Sequence, residues 1–164
     1  MAMTMTGEAT LPADQSRVWA MLNDPLVLKS CIPGCQSLEK TSDTSFAAVV
    51  KVKIGPVSAT FKGAVHLDDL DPPNAYTIAG EGEGGVAGFA KGGAKVRLSD
   101  VAGPAATAPH STLLKYDVEA NVGGKIAQLG SRLIDGVAKK MADQFFAAFA
   151  AAVQSSVGAT AGGH

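Results

Sequence analysis

The chain is 164 residues long, enough for one domain with a sizeable core and too short for a second catalytic domain. Fourteen Lys and Arg against fifteen Asp and Glu give a formal charge of −1, so no sequence-wide attraction exists to phosphate backbones or anionic lipid, and nucleic acid is not an expected partner. Hydrophobic residues are 46% and charged ones 18%, yet no run approaches the roughly 18 apolar residues of a membrane span and Met1 to Glu8 carries no leader pattern, which predicts a folded cytoplasmic protein.

Thr4 to Leu11 alternates and reads as a first strand. Pro12 then opens a helix with Val18, Trp19 and Leu22 on one side. That helix ends before Asn23-Asp24-Pro25, where Asp24 can cap a second short helix with Pro25 at its first position, running to Pro33-Gly34. The period then changes to two. Strands are predicted at about 36–41, 46–54, 58–70, 75–84, 89–99 and 112–122, separated by turn chemistry such as Gly55-Pro56 and Asp71-Pro72-Pro73-Asn74. Short turns between consecutive strands predict antiparallel pairing. From about Lys125 the period becomes helical, with Ile126, Leu129, Leu133, Val137, Met141, Phe145 and Phe149 on one face. The expected fold is α+β: a curved antiparallel sheet wrapped around a long C-terminal helix, with two short helices after the first strand. Residues 1–155 form one domain in this reading, and 156–164 are a small, polar tail expected to be disordered.

Charges assign the faces of each strand, because Lys and Glu are almost never buried unpaired. Lys51, Lys53, Lys62, His66, Glu81, Glu83, Lys91, Lys95 and Arg97 point outward. The inward sets therefore include Phe46, Ala48, Phe61, Gly63, Tyr76, Ile78, Gly80, Gly82, Ala90, Gly92, Ala94, Leu114, Tyr116 and Val118. Pairing of the strands around residues 80 and 91 would bring Glu81 and Glu83 to Lys91 and Lys95.

The middle of three adjacent strands is thus made of small residues: Ala59, Gly63, Gly80, Gly82, Ala90, Gly92 and Ala94. In one reading the glycines let the sheet bend, or let the helix approach closely through Gly130 and Gly136. In the other they leave an apolar pocket between sheet and helix, lined also by Phe61, Tyr76, Ile78, Tyr116, Leu129, Leu133, Val137, Met141 and Phe145. A buried phenol at Tyr76 or Tyr116 would need a hydrogen-bond partner, from a ligand carbonyl or from the backbone.

Catalytic patterns are not expected. Gly80 to Gly85 matches G-x-G-x-x-G, but a strand-like segment follows it instead of the helix N-terminus that would receive a pyrophosphate. Cys31 and Cys35 have neither the C-x-x-C spacing nor enough companions for zinc, and read as reduced thiols. His66, His110 and His164 have no evident carboxylate orienter or nucleophile beside them. No catalytic residue, metal site or covalent cofactor is predicted.

Several strings together carry a family resemblance: Cys31-Ile32-Pro33-Gly34-Cys35; Lys53-Ile54-Gly55-Pro56-Val57 with Ala59-Thr60-Phe61-Lys62-Gly63; Asp69 to Tyr76; and Gly124-Lys125 with Ala127 to Gly136. Over about residues 5–153 the chain is similar to the G-type accessory proteins (CoxG) of aerobic carbon monoxide dehydrogenases. The resemblance implies a helix-grip fold of the START-like (SRPBCC) kind, enclosing a hydrophobic cavity. It also implies a non-catalytic accessory of a molybdenum-containing, carbon monoxide dehydrogenase-type complex, linking that enzyme to the cytoplasmic membrane and its quinone pool. The implied ligand is an isoprenoid quinone, menaquinone or ubiquinone.

Longer relatives continue past the helix into a membrane-holding extension, whereas this sequence closes on Gly158 to His164, so firm anchoring by a tail is not expected. Surface contact would fall to Lys139 through Phe149 and to the exposed helix at Leu26–Leu28, as weak peripheral docking at the inner face of the membrane. Phe145 and Phe149 read as core, Phe146 as available to a surface. A quinone carrier, a recruitment or assembly factor without a functional ligand, and a small-molecule enzyme of the kind START-like folds also host are the three roles in view.

Overall fold

The computed structural model describes residues 2–101 and 111–162, with side chains as far as Ser155. His110 and His164 lie outside the described residues, and the tail expected over 156–164 falls beyond the described side chains. In chain order the elements are β1 (Ala2–Leu11), α1 (Gln15–Leu22), α2 (Pro25–Cys31), β2 (Cys35–Ser42), β3 (Ser45–Ile54), β4 (Val57–Asp71), β5 (Ala75–Glu83), β6 (Phe89–Val101), β7 (Ser111–Gly123) and α3 (Ser131–Gly162). The strands form one antiparallel sheet in the order β1-β7-β6-β5-β4-β3-β2, so the first strand closes beside the last.

Two helix boundaries differ from the sequence reading. α1 starts at Gln15, because Asp14 accepts a hydrogen bond from Arg17 N at 2.8 Å and so fixes the first turn after Pro12 has passed. At the other end, helical spacing runs through residue 130 but the backbone does not. Lys125–Leu129 is a 3-10 turn, and Gly130 takes φ +96°, a left-handed value that ends it before α3 begins. α2 is as expected: Asp24 accepts from Leu26 N at 2.9 Å and Pro25 opens the helix.

Strand parity is as the charges indicate. Register aligns the inward residues in rows across the sheet, among them Ala48–Gly63–Gly82–Ala90–Val122 and Val65–Gly80–Gly92–Ala120–Met3. Next come Leu67–Ile78–Ala94–Val118–Met5 and Tyr76–Val96–Tyr116–Gly7. Glu81 stands opposite Lys91 as anticipated, while Lys95 faces Thr77 and Asp117.

The glycine rows cross the middle of the sheet and separate two cores. One is built from Leu11, Val18, Leu22, Phe46, Leu67, Tyr76, Val96, Leu98, Leu114, Phe149 and Val153 under α1 and α2. The other gathers Ile54, Ala87, Val122, Ile126 and Ile134 at the opposite end. A Cβ on Gly92 would collide with the Glu119 carbonyl and lie 2.6 Å from Ala120 Cα; one on Gly63 would lie 2.7 Å from the Glu81 carbonyl oxygen. Glycine at these positions lets neighbouring strands close in as the sheet coils. Gly130 and Gly136 meet nothing within 4 Å, so α3 does not approach the sheet through them.

Candidate functional site

Between the sheet and the C-terminal half of α3 lies a cavity of about 470 Å³, within the range of small-molecule sites. Its floor is the two rows beyond the glycines, Leu67–Ile78–Ala94–Val118–Met5 and Tyr76–Val96–Tyr116. The helix side is Ala138, Met141, Ala142, Phe145 and Phe146, and Leu22, Leu28, Ile32 and Pro33 close it from α1, α2 and the turn after α2. The wall side chains are aliphatic or aromatic, and the two phenol hydroxyls are their polar groups.

The hollow therefore exists, but displaced from the glycines. Of the residues singled out in the sequence, Tyr76, Ile78, Ala94, Tyr116, Met141 and Phe145 line it. Phe61, Ala90, Leu129 and Val137 pack instead in the second core. Gly63, Gly80, Gly82 and Gly92 sit in the two bending rows. Leu133 is 36% exposed beside Gly55. Helical spacing put Leu129 and Leu133 on one face with Met141; the break at Gly130 takes Leu129 out of that face. Phe146, read as surface-facing, is half-buried and stacks on Tyr116, with centroids 5.2 Å apart at 18°.

The lining residues not picked out in advance have a legible origin. Phe46, Ala48, Val65, Leu67, Val96, Leu114 and Val118 are inward by the same parity. What parity lacked was which end of the sheet the short helices would cover. Leu22, Leu28 and Ile32 carry that signal, since the apolar sides of α1 and α2 need a surface to bury against.

Tyr76 is 5% exposed and its ring meets Trp19 edge to face, with centroids 5.2 Å apart at 83°. α1 is held over it by Gln15, whose Nε2 donates to Pro73 O at 2.9 Å and to Asn74 Oδ1 at 2.9 Å in the turn just before β5. Burial pushes the Tyr76 phenol well above its usual pKa. Tyr116 is raised as well, first by burial and then by the Asp143 carboxylate. Cys31 is buried and Cys35 half-buried, both as free thiols.

Pro33 and Met141 line both the cavity and an adjoining surface groove whose other walls include Lys51, Lys53, Lys140 and Gln144. The cavity thus opens beside three exposed cations. Among the described residues no cluster of three or more His, Cys, Asp or Glu could hold a metal ion, and no helix is long and apolar enough to cross a membrane.

Residues 7–154 match the family model for CoxG, the G-type accessory component of carbon monoxide dehydrogenase. A conserved protein from Geobacillus kaustophilus is 30% identical, with a TM-score of 0.84 over 94% of this chain and 97% of that one. At 13% identity and a TM-score of 0.68 come the Zhui aromatase/cyclase from Streptomyces sp. R1128, covering 96% of both chains, and a START superfamily protein from Mycobacterium smegmatis, covering 93% of this chain and 97% of its own. The last two share the fold alone. None of the curated proteins compared matches the chain.

Proposed function

The chain belongs to the carbon monoxide dehydrogenase CoxG family, and on that footing we propose that it is a non-catalytic accessory that binds an apolar small molecule, an isoprenoid quinone, between its sheet and α3. The observation that carries the reading is the cavity of about 470 Å³ with hydrocarbon and aromatic walls. No carboxylate, imidazole or guanidinium lines it, which favours holding a ligand over transforming one.

Energetics suit exchange with a membrane. Burying a CH₂ gains about 0.8 kcal/mol relative to water, so ten tail carbons gain roughly 8 kcal/mol gross before ordering costs. Relative to lipid the same transfer is near neutral, so a quinone can enter and leave. The cations beside the opening, Lys51, Lys53 and Lys140, and Leu26, 79% exposed on α2, would support weak docking to an anionic surface at the inner face of the membrane. In this reading the partner is a molybdenum-containing dehydrogenase, to which the protein presents quinone from the membrane pool.

The test is organic extraction of the purified protein with mass spectrometry of the extract, followed by titration of the delipidated protein with decylubiquinone. Quinone in the extract and saturable binding are expected. A delipidated protein that binds no quinone, yet still associates with the dehydrogenase, would overturn this role in favour of an assembly factor.

A further inference from the structure

The cavity presents one deeply buried polar atom. Tyr76 is 5% exposed, its ring fixed by Trp19 on one side and by its place in β5 opposite Val96 on the other. Its hydroxyl has no hydrogen-bond partner among the described residues, although no fully enclosed side-chain N or O among them is left unpartnered. The hydroxyl is therefore not sealed in the core. It borders the hollow that the rest of its side chain lines.

Such an arrangement is costly unless something completes it, because a buried donor without an acceptor loses its water hydrogen bonds and regains nothing. A phenylalanine would fill the same space with no such cost. Tyr116 differs: its ring stacks on Phe146, and its hydroxyl end lies over Gly7, at a separate groove that includes Asp143 and Lys139. Tyr76 is left as the inner polar point of an apolar chamber whose opening lies at Pro33 and Met141.

We infer that Tyr76 donates a hydrogen bond to a carbonyl oxygen of the bound molecule, so that the ligand is a ketone-bearing lipid-like compound that enters carbonyl first and leaves its hydrocarbon chain toward the opening. This rests on the reading of the cavity as a ligand site and adds to it a chemical criterion for the ligand and an orientation. Hydrocarbon contact alone would not discriminate a quinone from any alkyl chain of similar bulk. A single donor at the inner end does, because a compound without an acceptor leaves the phenol unpartnered.

The experiment compares wild type and Tyr76→Phe, which keeps the ring and removes the donor. Displacement of the neutral fluorophore N-phenyl-1-naphthylamine is measured with two competitors sharing one tail: decylubiquinone and n-decylbenzene. Wild type should prefer the quinone, and Tyr76→Phe should lose about tenfold in quinone affinity, the size of one good hydrogen bond, with decylbenzene unchanged. Equal losses for both competitors, or no change for either, would overturn the assignment while leaving the cavity as a binding site. A wild type that binds neither competitor would overturn the cavity reading itself. A melting temperature for Tyr76→Phe at or above that of wild type establishes that a loss does not come from unfolding.

Discussion

The ring of Tyr116 lies across Gly7, its direct partner in the β1–β7 register. A Cβ on Gly7 would stand 2.9 Å from Tyr116 Cε1 and closer still to the rest of the phenol. The glycine gives the ring a bed on the first strand, and from there it stacks on Phe146 of α3. Sheet closure, the aromatic stack and one wall of the cavity thus depend on a residue with no side chain. Replacing Gly7 with Val should displace the ring and destabilise the fold by about 1–3 kcal/mol, read as a lower urea midpoint at unchanged slope. The same variant should bind N-phenyl-1-naphthylamine more weakly, since Tyr116 moves with the wall.

Blocking the hollow requires substitutions on its own walls. Ala142 lines the cavity from a helix, where Leu is well tolerated. Ala142→Leu should occupy the space, reduce probe binding by about tenfold or more and change stability by less than about 1.5 kcal/mol. Gly92→Leu would not report on the cavity, because its Cβ collides with the Glu119 carbonyl. It should cost about 3 kcal/mol or more through the sheet itself. Thermal melts alongside probe titrations separate the two effects.

Both tyrosines of the chain have phenols raised by burial, Tyr116 further by Asp143. A phenol ionises by losing a proton, so between the unfolded value near 10 and the higher folded value the native state binds more protons. Stability from these groups is complete below about pH 10 and is lost as pH rises beyond it. Alkaline melts should be flat through neutral pH and fall steeply above about pH 10, with a shallower fall in Tyr76→Phe. Absorbance at the phenolate band should rise together with unfolding and not before it.

Asp24 holds the first turn of α2 through Leu26 N, and α2 carries Leu28 over the cavity. Asp24→Ala should cost about 1 kcal/mol. Amide exchange should quicken in α2 while β5 to β7 stay protected, and bound decylubiquinone should dissociate faster because the covering helix frays.

Phe149 and Val153 are wholly buried, and Phe149 stacks on Phe145 with centroids 5.6 Å apart. Phe149→Ala should cost about 3–5 kcal/mol, the largest loss among these substitutions, seen as a drop in melting temperature.

Much of this architecture follows from local rules. Alternation with charge on one face determined seven antiparallel strands and their inward residues, since an unpaired Lys or Glu cannot turn inward cheaply. Asp24-Pro25 determined where α2 begins, because cap and first turn are chemistry between neighbours in the chain. The position of the hollow was not local. Small residues in Gly63, Gly80, Gly82 and Gly92 suggested empty space, yet a missing side chain can be filled by a closer neighbouring backbone as readily as by a ligand, and in this sheet the strands close in. The break at Gly130 likewise depends on a backbone angle that apolar spacing does not register. Only when α1, α2 and α3 take their places on the coiled sheet do Tyr76, Tyr116, Met141 and Phe145 face one chamber, because volume between elements is fixed by how they pack against each other and not by the period of any one of them.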